Sequence, residues 1–205
     1  RPIEYREQLG ALTRHQYWFV PDAASPLRQQ WHDFMVYKTA LVPDLERSSK
    51  GRWRFSPLPM GRKSSRTWYQ YLGDQEVSSA AAVWAKLAGY YGWLMLPAEK
   101  GGAAIPGDQL HTLAWLVLPE FLVPYLEWRK ARSGGKHSTF APEFVGWVMS
   151  LVREVEGYFP QSPWLQGTLP EKYQQGTWIE QCAKHMKYCR RLTQSLRGQV
   201  HFRRA

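Results

Sequence analysis

Three side chains near the C-terminus have types and spacing that suit a metal: Cys182, His185 and Cys189. At three- and four-residue steps they share one face of a helix, and thiolate and imidazole are zinc ligands. A structural zinc site wants four ligands, usually as two close pairs on separate elements. The chain offers no second pair, so a packed helix face is the better reading. The two thiols stand about 10 Å apart along that helix, too far for a disulfide. Free buried thiols in a reducing compartment are expected. Nucleophilic chemistry has less support still. The chain contains no Gly-x-Ser-x-Gly elbow and no phosphate-cradling glycine loop. Gly101-Gly102 and Gly134-Gly135 fall between helices and are read as stops. No metal, cofactor or small-molecule substrate is expected.

Charge carries more information. Lys and Arg total 27 against 17 Asp and Glu, a formal net charge of +10. That excess points to a polyanion, meaning nucleic acid or an anionic membrane. Solubility alone does not require it. Three runs read as lacking acidic partners: 47–66, 128–137 and 184–204. The first holds Lys50, Arg52, Arg54, Arg62, Lys63 and Arg66 among its seven basic residues. Its two prolines and two glycines rule out one regular element, so a basic loop or short hairpin is expected. The second crowds Arg129, Lys130 and Arg132 into the end of a helix. It then passes through Ser133-Gly134-Gly135-Lys136-His137-Ser138-Thr139 into a new helix, whose first amides could take a phosphate. Lys136 would add a point charge, and Ser138 or Thr139 a hydrogen bond, with His137 beside them. In the third, Lys184, Lys187, Arg191 and Gln194 project opposite the apolar stripe of the last helix, with Arg197 in its final turn. Such residues reach phosphate oxygens and base edges.

A membrane fits poorly. The most apolar run, 113–126, carries Glu120, Pro119 and Pro124 and is shorter than the ~20 residues that a spanning helix needs. The basic helix also lacks the broad apolar side of an interfacial one. Eleven Trp and eleven Tyr are many for 205 residues. Most sit at helical core spacing, which favours packing over stacking on bases.

The elements that must position these residues follow from periodicity. Residues 1–26, with Pro2, Pro21 and Pro26, read as a loosely organised extension. Helices are expected over 27–41, 75–96, 108–132, 138–157 and 174–198. Asp108 is the expected N-cap of the third, with Pro119 and Pro124 kinking or splitting it. No segment alternates with conviction, so the fold class is all-α. The expected division is an extension (1–26), an N-terminal helical DNA-binding part (27–97) and a second helical part with a cationic last helix (108–200).

The stretch from Phe121 to Gly135, followed by Ser138-Thr139 and a helix, resembles the core-binding region of tyrosine site-specific recombinases, the phage-integrase family. Ala85 to Leu94 and Trp31 to Thr39 resemble other helices of such regions. Together the patches touch most of residues 27–155. The resemblance implies a helical bundle forming half of a clamp around duplex DNA, beside other recombinase protomers, in a bacterial, nucleoid-associated, cytoplasmic setting. In that family a tyrosine nucleophile, an Arg, a Lys, a His-x-x-Arg and a further His or Trp do the chemistry. They lie in a separate, C-terminal α/β domain. The only His-x-x-Arg here is His201 to Arg204, with no tyrosine after it. No catalytic residue is therefore assigned, and a chain that begins at Arg1 is expected to be a fragment or processed piece. The expected function is sequence-directed duplex binding. Two alternatives are a helical protein-interaction module and a single-strand nucleic-acid binder.

Overall fold

Helix follows helix through most of the described residues, as the three- and four-residue apolar spacing predicts. The computed structural model describes residues 2–9, 12–39, 78–154 and 157–199. The basic segment 47–66, with Lys50, Arg52, Arg54, Arg62, Lys63 and Arg66, lies outside the described residues. Five α-helices are seen among those described: α1 (Pro26–Thr39), α2 (Ser78–Met95), α3 (Pro119–Arg132), α4 (Phe140–Leu151) and α5 (Trp178–Arg197). Short 3-10 turns lie between α2 and α3 and between α4 and α5.

The first correction is at the N-terminus, where the loosely organised extension is a hairpin. Strands β1 (Pro2–Leu9) and β2 (Leu12–Phe19) pair antiparallel, Pro2 against Phe19 and Leu9 against Leu12. The prolines mark element ends. Pro2 begins a strand, where a missing amide is tolerated, and Pro26 opens α1. Strand β2 runs against α2, and the Phe19 ring meets Tyr91 with centroids 6.1 Å apart.

A second correction concerns the expected helix from Asp108, which begins only at Pro119. Asp108 sits in a 3-10 turn, Gly107–Gln109. Residues Thr112 to Leu118 are buried without exception, and Leu113–Val117 form another 3-10 turn. An apolar run buried on all sides carries no periodic signal to separate helix from other structure. Irregular backbone inside a core must find hydrogen bonds elsewhere. Gln30 Oε1 accepts from the Leu113 amide at 2.7 Å. Thr112 Oγ1 accepts from the Ala114 amide at 3.1 Å. The Tyr91 hydroxyl donates to the Thr112 carbonyl, and the Tyr90 hydroxyl to that of Trp115. Burial holds both phenols well above their ordinary pKa, so they remain donors.

One hydrophobic core takes side chains from Phe19 to Leu196, and the two expected helical parts share it. Its centre is aromatic. Tyr125 of α3 meets Tyr90 and Trp93 of α2 and Phe144 of α4 at 5.1, 5.5 and 5.4 Å between centroids.

Candidate nucleic-acid interface

Helix α5 begins at a capping box. Thr177 Oγ1 accepts from the Glu180 amide, and the Glu180 carboxylate accepts from the Thr177 amide at 2.9 Å, satisfying two end amides at once. The Thr177 backbone amide, and then its hydroxyl, hold the Glu180 carboxyl below its ordinary pKa. The helix is then seated by Trp178, whose indole donates to the Phe159 carbonyl at 2.6 Å, and by Gln181, which donates to that of Tyr173. Of the stripe expected from spacing, Trp178, Cys182, His185, Cys189 and Leu196 are buried and Leu192 is half-buried.

That stripe fixes what faces outward. Lys184, Lys187, Arg191, Gln194 and Arg197 are all exposed, as projected. Arg190 joins them, a residue that the sequence reading left out of the site. Its angle at 100° per residue lies between those of Lys187 and Arg197, so the signal was present. Five cations therefore line about 20 Å of one helix face. Among the described residues none of the five makes an ion pair, and Glu180 is the helix's one acidic residue. The positive charge also suits the negative end of the helix dipole.

The buried face has no accessible chemistry. Cys189 Sγ lies 3.5 Å from His185 Nε2. Burial pushes both thiols up to about 12, which leaves them protonated and poor nucleophiles. Among the described residues no three His, Cys, Asp or Glu side chains are grouped to hold a metal. Burial also pushes His185 down to about 4. Its Nδ1 makes no hydrogen bond of ordinary geometry, and the backbone of Leu116 opposes the shift only in part. The unfolded chain, with a histidine near 6.5, binds that proton first. Stability is therefore full above the unfolded value and falls as pH drops toward 4, by about 2–3 kcal/mol at pH 4.5. Urea midpoints across this range should fall less steeply for His185→Gln than for the native chain. Superimposable profiles would refute the assignment.

The α3–α4 junction differs from its expected form. Gly134 and Gly135 both have positive φ, +73° and +78°, a conformation open to glycine, and they reverse the chain. The run 128–137 does have an acidic partner, Glu127, which lies just outside it in sequence. Its carboxylate meets Lys130 Nζ at 3.3 Å and His137 Nε2 at 3.2 Å. His137 is buried and is no outward base contact, contrary to expectation. The Arg129 guanidinium lies over the Phe140 ring at 3.8 Å and donates to the Tyr125 hydroxyl. Arg132 lies over Trp128 at 4.7 Å. Lys136, Ser138 and Thr139 are exposed. The amides that open α4 offer little to a phosphate. Ala141 donates to the Ser138 carbonyl, Pro142 has no amide proton, and Glu143 places a carboxylate in the first turn.

Most tryptophans with described side chains are buried or half-buried, and Trp164 is the exposed one among them, at 49%. No described helix is long and apolar enough to cross a membrane. No family model, no curated protein and no solved structure matches the chain.

Proposed function

We propose that this chain binds duplex DNA through the outer face of α5, as the non-catalytic gripping part of a DNA-rearranging protein of the tyrosine-recombinase type. The observation that carries the reading is the five-cation face, held outward by a fully packed opposite side and lacking ion pairs among the described residues. A solvated surface helix ordinarily intersperses both signs. Here the one acid on the face, Glu180, stands at its first turn, and the cations beyond it match a phosphate backbone, which is recognised first by charge. Duplex is favoured over single strand because the tryptophans with described side chains are mostly committed to the core, leaving Trp164 as the one exposed indole among them for base stacking.

The test is binding to a fluorescent duplex over a salt series. Five phosphate contacts should cost about 500-fold in affinity between 50 and 200 mM salt. A flat response would sink the reading. An unlabelled single strand of equal length should compete poorly.

A protein-partner reading has one observation of its own. Ile179, at 53% exposure, and Trp164 are large apolar side chains left in solvent. Size-exclusion chromatography with and without DNA separates the two readings, since a docking module would associate without DNA.

A further inference from the structure

The turn between α3 and α4 forms a shallow, half-open depression, ≈ 200 Å³ with the solvent at its mouth included. Its enclosed part has room for about one water, so a phosphate would rest at the mouth with one oxygen inside. Its lining is nonetheless rich in donors: Arg129, Lys130, Ser133, Lys136, His137 and Ser138. Three of the six are cations. Arg129 directs one hydrogen bond to Tyr125 and has four further donor positions in its fork. Nothing lies within 4 Å of where a side chain on Gly134 or Gly135 would begin, so the turn leaves open space beside the mouth.

Two of these donors already hold an oxyanion. Glu127, on α3 one turn before the pocket, bridges Lys130 and the imidazole of His137, whose side chain is 3% exposed. A histidine buried that deeply and set against a carboxylate is a fixed donor, unlike a solvated lysine. Glu127 itself is 52% exposed, so its carboxylate can swing into water at small cost. The Lys130 arm of the bridge lies at the surface and holds Glu127 only weakly, so the His137 arm is the one that a phosphate must replace.

We infer that this pocket seats one phosphate group, and that Glu127 is a resident anion that competes with it for Lys130 and His137. The inference rests on the duplex-binding reading and adds to it a second phosphate position and a built-in brake on affinity. A phosphodiester oxygen approaching Lys136 and Arg129 meets the Glu127 charge as repulsion, and meets its two partners as donors already in use. Removing that one charge while keeping the side chain's shape should tighten binding. At separations near 6 Å, partly screened, one unit charge changes affinity by about 3- to 10-fold.

The decisive variant is Glu127→Gln, which keeps the polar end and needs no repacking. Duplex affinity at 100 mM salt should rise about 3- to 10-fold, with a steeper salt slope. Lys136→Ala should lower affinity and reduce the slope by about one. A second arm uses inorganic phosphate against chloride at equal ionic strength. Amide shifts of Lys136, His137 and Ser138 should move with phosphate, and at lower concentration in Glu127→Gln. If duplex affinity is steeply salt-dependent but unchanged or weaker in Glu127→Gln, the pocket proposal is overturned and the α5 reading stands. If duplex does not bind, the α5 reading falls. Phosphate-driven shifts would then keep the pocket as a site for free phosphate, and their absence would overturn it as well.

Discussion

Changing Lys184, Lys187, Arg190 and Arg191 together to Gln should lower duplex affinity by about 10³- to 10⁴-fold at 100 mM salt. Each neutralised phosphate contributes about 0.9 to the log–log salt slope. Measured from a 1 M reference, four lost contacts therefore amount to between three and four decades at 100 mM. The slope should fall by about 3.6 in the same experiment. Stability should hold or rise. All four residues are exposed, surface changes of this kind usually stay within about 0.5 kcal/mol, and like charges three and four residues apart on a helix repel. A large loss of binding with an unchanged or higher melting temperature has no explanation in damage to the fold. Fluorescence anisotropy and calorimetry on the same preparations read out the two quantities. Unchanged affinity would remove α5 as the binding face.

The largest effect on stability is expected at Tyr125. Its side chain is fully buried, and its ring joins α2, α3 and α4 through Tyr90, Trp93 and Phe144. Phe140 and Trp128 flank it at 6.3 Å. Tyr125→Ala removes all these contacts and leaves a cavity that rigid aromatic neighbours fill poorly. Losses of about 3–5 kcal/mol are typical of large aromatic truncations. A native stability of about 5–15 kcal/mol leaves little margin for that. Tyr125→Phe should cost far less, about 1 kcal/mol or below, because only a 3.4 Å hydrogen bond from Arg129 is lost. Denaturant midpoints for the pair distinguish packing from hydrogen bonding. Equal costs would place the importance of Tyr125 in its hydroxyl.

What could be read from the sequence depended on whether an element has two different sides. Helix α5 has a buried stripe and a wet face, so its period alone places Lys184, Lys187, Arg191, Gln194 and Arg197 on the outside, where they lie. Arg190 obeyed the same geometry and was simply not carried into the site. The segment 112–118 has no wet side, so its apolar run reads as part of one helix from Asp108, whereas the helix begins at Pro119. The hairpin is obscured because Glu7 breaks the alternation of Ile3, Tyr5 and Leu9 in β1 and Arg14 and Gln16 break that of Leu12 and Trp18 in β2, and pairing with a neighbouring strand leaves no mark on one strand alone. Glu127 was overlooked for a different reason. Its contact with His137 spans ten residues across a reversal, and only the Gly134-Gly135 turn brings them together. Whether a charged run lacks partners is a question about space, which spacing along the chain does not answer.

The buried 112–118 segment also constrains the order of events during folding. The acceptor for the Leu113 amide is on Gln30, 83 residues earlier. Thr112 shares a hydrogen bond with Thr168, 56 residues later. Helices themselves form within about a microsecond, but these contacts close long loops, and non-local contacts slow folding by decades. On a ribosome, the segment cannot reach its final environment until Thr168 has been synthesised. The helical content of this chain should therefore appear early, and its dry interior late.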